Sequence, residues 1–150
     1  MVFVTTGTCK SFHRLIKHLD DIAPKLREKV IAQIGHSFYV PQHIDFEKFY
    51  PSLKEFISES RLVISHGGFS AVEIIEARKP CILVPRQKKF DEHFDDHQVE
   101  FAELLHRKCG VPFFTDIDNL TAEVIMNHND LPRYDGRNIS LFKNKIQEII

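Results

Sequence analysis

The chain has 150 residues, 43% of them hydrophobic and 27% charged, with a formal net charge of -1. A chain of that size buries roughly 70% of its unfolded surface, so residues 1–150 read as one domain that folds without disulfide or metal staples. The near-neutral balance excludes a general attraction to nucleic acid or to a membrane surface, and any basic site has to be local.

In chain order the elements alternate between strand and helix. Residues 1–5 read as a buried strand, and Thr6-Gly7-Thr8 as a turn that can bring backbone amides toward a ligand. No G-x-G-x-x-G stands there, so a dinucleotide fingerprint is absent. Phe12, Leu15, Ile16 and Leu19 mark one helical face, residues 30–34 form a second strand, and residues 35–43, with Pro41, postpone the next helix. Phe38 and Tyr39 in that loop are expected to pack rather than to touch substrate. Phe46, Phe49 and Tyr50 suggest a short third strand or turn, and Ser52-Leu53-Lys54-Glu55 has the form of a capping box.

The most informative stretch follows. Leu62-Val63-Ile64 is a short apolar run suited to a parallel strand buried on both faces, and it ends in Ser65-His66-Gly67-Gly68-Phe69-Ser70 before Ala71, Ile74, Ile75 and Ala77 recur at helical spacing. A strand, a glycine turn and a helix N-terminus together form an anion site, because first-turn amides and the macrodipole both favour a phosphate. Glu73 is expected in that first turn. Residues 81–85 give another strand, after which a polar loop delivers His97-Gln98 to the start of an amphipathic helix (Val99, Ala102, Leu105). Two strand C-termini thus point at one crevice, the place where open α/β sheets bind ligands.

Residues 111–115 read as a last strand, and Leu120, Val124 and Ile125 as a helix. A final helix from Asn138 carries Ile139, Phe142, Ile146 and Ile149 on one stripe. That stripe runs to Ile150, so the helix is expected to dock on a partner rather than only on its own sheet. Strands near positions 2, 31, 45, 62, 82 and 113 predict an α/β fold with a doubly wound, Rossmann-like parallel sheet. The three cysteines, Cys9, Cys81 and Cys109, match neither a zinc site nor a disulfide framework and read as reduced thiols of a cytosolic protein. The N-terminus shows no basic flank or cleavage site, and no apolar run approaches the ~18 residues of a membrane span.

Taken together, His66-Gly67-Gly68-Phe69-Ser70 with Glu73, Pro80 with Val84-Pro85, and Asp96-His97-Gln98 resemble the donor-binding stretch of GT-B glycosyltransferases, especially the C-terminal domain of glycosyltransferase family 28. Phe3-Val4-Thr5-Thr6-Gly7-Thr8 is similar to that family's opening strand and loop, whereas the turn near Phe69 is shortened. Within the family the chain is most similar to the cytosolic subunit of two-subunit UDP-sugar transferases, the dolichol-linked N-acetylglucosaminyltransferase of eukaryotes and its bacterial exopolysaccharide counterparts.

This resemblance implies a single C-terminal half of a GT-B enzyme, in which Gly7, Thr8, His66, Gly67, Gly68, Ser70, Glu73, Arg86, His97 and Gln98 bind a UDP-sugar donor. It also implies a membrane-anchored Rossmann-like partner subunit that supplies the catalytic base, a lipid-linked acceptor, and work at the cytoplasmic face of the membrane. No metal or other cofactor and no nucleic acid are expected.

Plainer readings stand beside these. His66 fits a core or capping histidine, Ser70 an N-cap, Glu73 a carboxylate complementing the helix dipole, and Gln98 an exposed helical residue. Arg86, Lys88 and Lys89 form a compact basic set that suits a diphosphate, an anionic lipid surface or plain solvation. The run from Glu92 to His97 offers metal-ligand chemistry, but its spacing fits no known ligand pattern. For the whole chain the alternatives are a non-catalytic UDP-sugar-binding module and, less well matched in length, a UDP-sugar epimerase.

Overall fold

Short apolar runs become the strands of one parallel sheet. In the structure, a computed structural model that describes residues 1–149, β1 (Val2–Thr5), β2 (Val30–Gln33), β3 (Asp45–Glu47), β4 (Leu62–Ser65) and β5 (Cys81–Leu83) lie in the order β3-β2-β1-β4-β5. All the pairings are parallel, and Thr5 stands opposite both Gln33 and Ser65, while Ser65 stands opposite Leu83. The C-terminal ends of the strands therefore share one edge. The reversal of order at β1 makes that edge the crevice of a doubly wound fold.

Alternation along the strands sorts the core into two layers. Val2, Val4, Ala32, Leu62 and Ile64 point to one face, where they meet Phe12, Leu15, Ile16 and Leu19 around α1 (His13–Ile22), and Ile125 of α5 (Ala122–Asn127). Phe3, Val63, Cys81 and Leu83 point to the other face. There they meet Ile57 of α2 (Lys54–Glu59), Ile74 and Ile75 of α3 (Phe69–Glu76), and Phe101 and Leu105 of α4 (His97–Cys109). Phe3 also stacks on Phe56 with ring centroids 5.0 Å apart. All three cysteines are free thiols, and burial pushes Cys81 up to about 12.

Several sequence expectations are corrected here. The strand expected over 111–115 shrinks to a bridge at Phe113, in which Leu83 N–H donates to the Pro112 carbonyl and Phe114 N–H to the Leu83 carbonyl. Proline has no amide to extend the ladder outward, and Asp116 turns the chain into a 3-10 turn at Ile117–Asn119. The capping box over 52–55 is not formed: Ser52 Oγ accepts from Lys54 N–H at 3.3 Å, two residues on, in a serine turn. Phe38 does not pack, being 89% exposed. Tyr39 does, and its hydroxyl donates to buried Asp20 at 2.6 Å while the amides of Gln42 and His43 donate to the same carboxylate, which pins the 35–43 loop.

The final helix, α6 (Gly136–Ile149), is also part of the core. Ile139, Phe142 and Ile146 are buried against α3 in the second layer, and Lys143 pairs with Glu76 at 2.8 Å. The stripe expected to dock on a partner is consumed by the chain's own packing over that span. The Ile149 side chain and Ile150 lie outside what is described.

Candidate donor site

Three loops leave the C-terminal edge of the sheet and converge. After β1, Thr6-Gly7-Thr8 passes over the His66 ring, and Gly7 adopts φ +71. After β4, Gly67 at φ +84 turns the chain so that Gly68 becomes the N-cap of α3, with no side chain capping the first-turn amides. Those amides lack intrahelical acceptors and carry the positive end of the dipole. After β5, Val84-Pro85-Arg86 closes the crevice from the other side.

The His66 imidazole is the centre of this cradle. It is 7% exposed and lies between two glycines. A Cβ on Gly68 would fall 2.3 Å from His66 Nε2, and one on Gly7 would fall 2.6 Å from both Nε2 and Cε1. Both glycines are therefore required by close approach. Burial, and after it the Arg86 guanidinium, pushes the His66 imidazole down to about 3, so the ring is neutral near pH 7. Its Nδ1 has no hydrogen-bond partner among the described residues.

Ser70 is the second residue of α3, not its cap, and its buried Oγ shares a 2.9 Å hydrogen bond with Ser65 Oγ. Glu73 falls in the second turn of α3 instead of the first, because the helix already begins at Phe69. It remains exposed and lines a groove of about 870 Å³ together with Thr8, Gln33, Tyr50 and Ser52. Through Thr8 this groove adjoins the cradle. Gln33 Oε1 accepts from Tyr50 N–H at 2.9 Å, which fixes the far wall.

Arg86 does not present a free cation to the crevice. It is 1% exposed, Nη1 donates to the carbonyls of Ser11 (3.1 Å) and Glu92 (3.3 Å), and Nη2 donates to the carbonyl of Thr6. Its guanidinium also covers the Phe12 ring at 4.8 Å. Lys88 and Lys89 are exposed. Gln98, at the start of α4, accepts the Arg86 amide on Oε1 at 3.0 Å, leaving its side-chain NH₂ to donate.

His97 lies beside Asp95, with Nδ1 2.9 Å from Oδ2. It lines a small hollow shared with Leu104 and with Lys145 of α6. The structure thus brings Gly7, Thr8, His66, Gly67, Gly68, Ser70 and Gln98 around one crevice mouth and Glu73 to the adjoining groove. It puts Arg86 beneath them and His97 toward α6. Among the described residues no three His, Cys, Asp or Glu side chains converge as a metal site.

Sequence reasoning missed the groove wall from Gln33 and from Tyr50 to Ser52. The signal was present, since both segments sit at or just after strand C-termini on the ligand edge. It also missed the ion pair of Arg14 with buried Glu92, whose two nitrogens reach the carboxylate at 2.6 and 3.0 Å, while Glu92 Oε2 accepts the Gln87 amide at 3.0 Å.

Residues 1–120 match the glycosyltransferase family 28 C-terminal domain. The chain is 36% identical over 123 residues to the UDP-N-acetylglucosamine transferase subunit ALG13 of Homo sapiens, a match that covers 71% of this chain and 10% of that protein. It is 32% identical over 120 residues to the Mus musculus protein of the same name, with the same coverage. The match thus spans about a tenth of the length of these relatives. Among solved structures, the glycosyltransferase SsfS6 of Streptomyces sp. SF2575, complexed with thymidine diphosphate, has a TM-score of 0.56 at 18% identity, covering 99% of this chain and 36% of that one. MurG of Acinetobacter baumannii has a TM-score of 0.53 at 18% identity, covering 99% and 45%. These structural likenesses establish the fold.

Proposed function

The chain belongs to the glycosyltransferase family 28 C-terminal domain family, and on that footing we propose that it is the donor-binding subunit of a UDP-sugar transferase. The observation that carries this reading is that the groove lined by Glu73 and Thr8 adjoins the cradle: Thr8 directly follows Gly7, which presses on the His66 ring beside the uncapped N-terminus of α3. A nucleoside fits the groove, where the Glu73 carboxylate can accept two hydroxyls of a ribose. The diphosphate takes the α3 amides and the His66 ring, and the sugar lies toward the Gln98 NH₂. SsfS6, complexed with thymidine diphosphate, supports a nucleoside diphosphate as the class of ligand. UDP-N-acetylglucosamine is the first donor to test, because the human and mouse relatives carry that name.

In the transfer step the sugar's anomeric carbon leaves the UDP oxygen for an acceptor hydroxyl, and negative charge collects on the departing diphosphate. Fixed donors at the α3 N-terminus and on the His66 ring stabilise that charge without reorganising. Glu73 and Gln98 hold the two ends of the donor in line. The site for the acceptor, a lipid-linked one, and the general base come from a membrane-anchored partner subunit. This chain works at the cytoplasmic face, and among its described residues no helix is long and apolar enough to cross a membrane.

Thermal unfolding with nucleotides tests the reading. At a UDP concentration 100 times its dissociation constant, binding adds ~2.7 kcal/mol, a melting shift of several degrees. Stabilisation by ADP or NAD but not by UDP overturns it. Copurification with the partner and transfer from a UDP-sugar to a lipid-linked acceptor then test the enzyme. Binding without transfer in the reconstituted complex would leave a non-catalytic UDP-sugar-binding module.

A further inference from the structure

Arg86 occupies an unusual position for a residue of a donor loop: its side chain is buried, yet the guanidinium bonds only to backbone carbonyls. Its three acceptors are the carbonyls of Thr6, Ser11 and Glu92, so one guanidinium holds both ends of the β1 loop and the turn after β5. Its own amide ties this knot to α4 through Gln98. Between Thr6 and Ser11 lies Gly7, the residue that presses on the His66 ring, and that ring in turn lies under Gly68 at the head of α3. The neighbouring carboxylate of Glu92 is held by Arg14 and by the Gln87 amide instead of by Arg86.

Resting on the donor-site reading above, we infer that Arg86 is the positioning residue of the anion cradle, clamping the β1 loop so that Gly7 fixes His66 against α3 and lending the site a permanent positive charge from beneath without touching the ligand. A planar guanidinium reaches three carbonyls in one geometry, which a lysine ammonium on a flexible stem does not. A charge set in the interior is screened far less by salt than one on the surface. The groups whose charge reaches His66 are Arg86 and His93, while Cys9 and Glu92 act on Arg86 in turn. Burial and the Arg86 charge both keep the His66 ring neutral, so the ring donates to an anion as a dipole and the net charge comes from behind it.

The test is UDP titration by calorimetry of the full chain and of three variants at low and high salt, with near-ultraviolet circular dichroism as the control for folding. Neutralising the exposed pair, Lys88→Ala with Lys89→Ala, should change the dissociation constant less than about threefold, because those charges are solvated and screened. Arg86→Met should raise it at least about tenfold, and Arg86→Lys should fall between, recovering charge but not the clamp. NMR titration of the His66 ring without ligand should show its pKa rising more in Arg86→Met than in Arg86→Lys, since loosened burial would raise it in both variants whereas loss of the positive charge raises it in Arg86→Met alone. A folded Arg86→Met that binds UDP as the wild type does overturns the inference, as does an unmoved His66 titration or a tenfold loss in the double lysine variant. If Arg86→Met does not fold, Arg86→Lys decides, and wild-type affinity there overturns the clamp. A wild-type chain that binds no UDP overturns the donor reading itself, and this inference with it.

Discussion

Gly68→Ala tests the cradle by geometry alone. The backbone there is at φ -92, which any residue adopts, so the substitution adds no dihedral strain. What it adds is one methyl 2.3 Å from His66 Nε2 and 3.0 Å from Cδ2, where ordinary contacts are about 3.5 to 4.0 Å. The ring cannot retreat, because Gly7 closes its other side. Overpacking of this kind costs about 1–3 kcal/mol. With a urea slope of about 1–3 kcal/mol per molar, the unfolding midpoint should fall by about 1 M. Repeating the substitution in a His66→Ala background removes the obstacle, and the cost should drop to about 0.5 kcal/mol or less, the residual preference for glycine over alanine at an N-cap. An equal loss in both backgrounds would show that the His66 ring is not what Gly68 makes room for.

Arg14→Met should destabilise by about 3 kcal/mol, because it leaves the Glu92 carboxylate buried with only the Gln87 amide, and adding Glu92→Gln should restore part of the loss in urea denaturation. Acid should weaken the fold through His66: its imidazole sits near 6.5 when unfolded and at about 3 when folded, so the native state binds fewer protons between those values and stability rises with pH across that window. His66→Gln should flatten this limb when unfolding midpoints at about pH 4.5 and about pH 7.5 are compared. Glu73→Ala should weaken UDP and UDP-sugar about equally, by about 1.5–3 kcal/mol, as calorimetry with both ligands would show. Gln98→Ala should lower transfer by the reconstituted complex more than it lowers UDP affinity, provided the Arg86 loop keeps its place.

The strands were readable because a parallel strand buried on both faces must be apolar over its length. Val2–Thr5, Val30–Gln33 and Leu62–Ser65 are apolar at all but their last position, and helices between most successive strands leave little choice of topology. The loop-to-helix turn at 66–69 was readable for a related reason, since adjacent glycines before a helix have few other uses. Arg86 was not. Its residue type predicts a surface cation, and nothing local announces that the carbonyls of Thr6 and Ser11, 80 and 75 positions away, need a donor. Asp20, Glu92 and Gln33 share that difficulty. Each is a polar side chain whose burial depends on a partner from another segment: the 42–43 amides for Asp20, Arg14 of α1 for Glu92 and the Tyr50 amide for Gln33. The final helix misled in the opposite sense, because an apolar stripe looks the same whether it faces a partner or, as here, α3.

The placement of Glu73 follows from how α3 divides its faces. Ala71, Val72, Ile74 and Ile75 are all fully buried, so the helix spends those directions on the sheet and on α6. What remains for the groove side is the stripe of positions 69, 73, 76 and 77, spaced as neighbours on one helical face. Glu73, Glu76 and Ala77 do line the groove, and Phe69 is 39% exposed at the head of the same stripe. A shift of one position in either direction would turn Val72 or Ile74 toward the groove and bury a carboxylate in the second core layer. The desolvation cost of that arrangement forbids it. Because α3 begins at Phe69, Glu73 stands in its second turn, and this division of faces puts its carboxylate on the groove side.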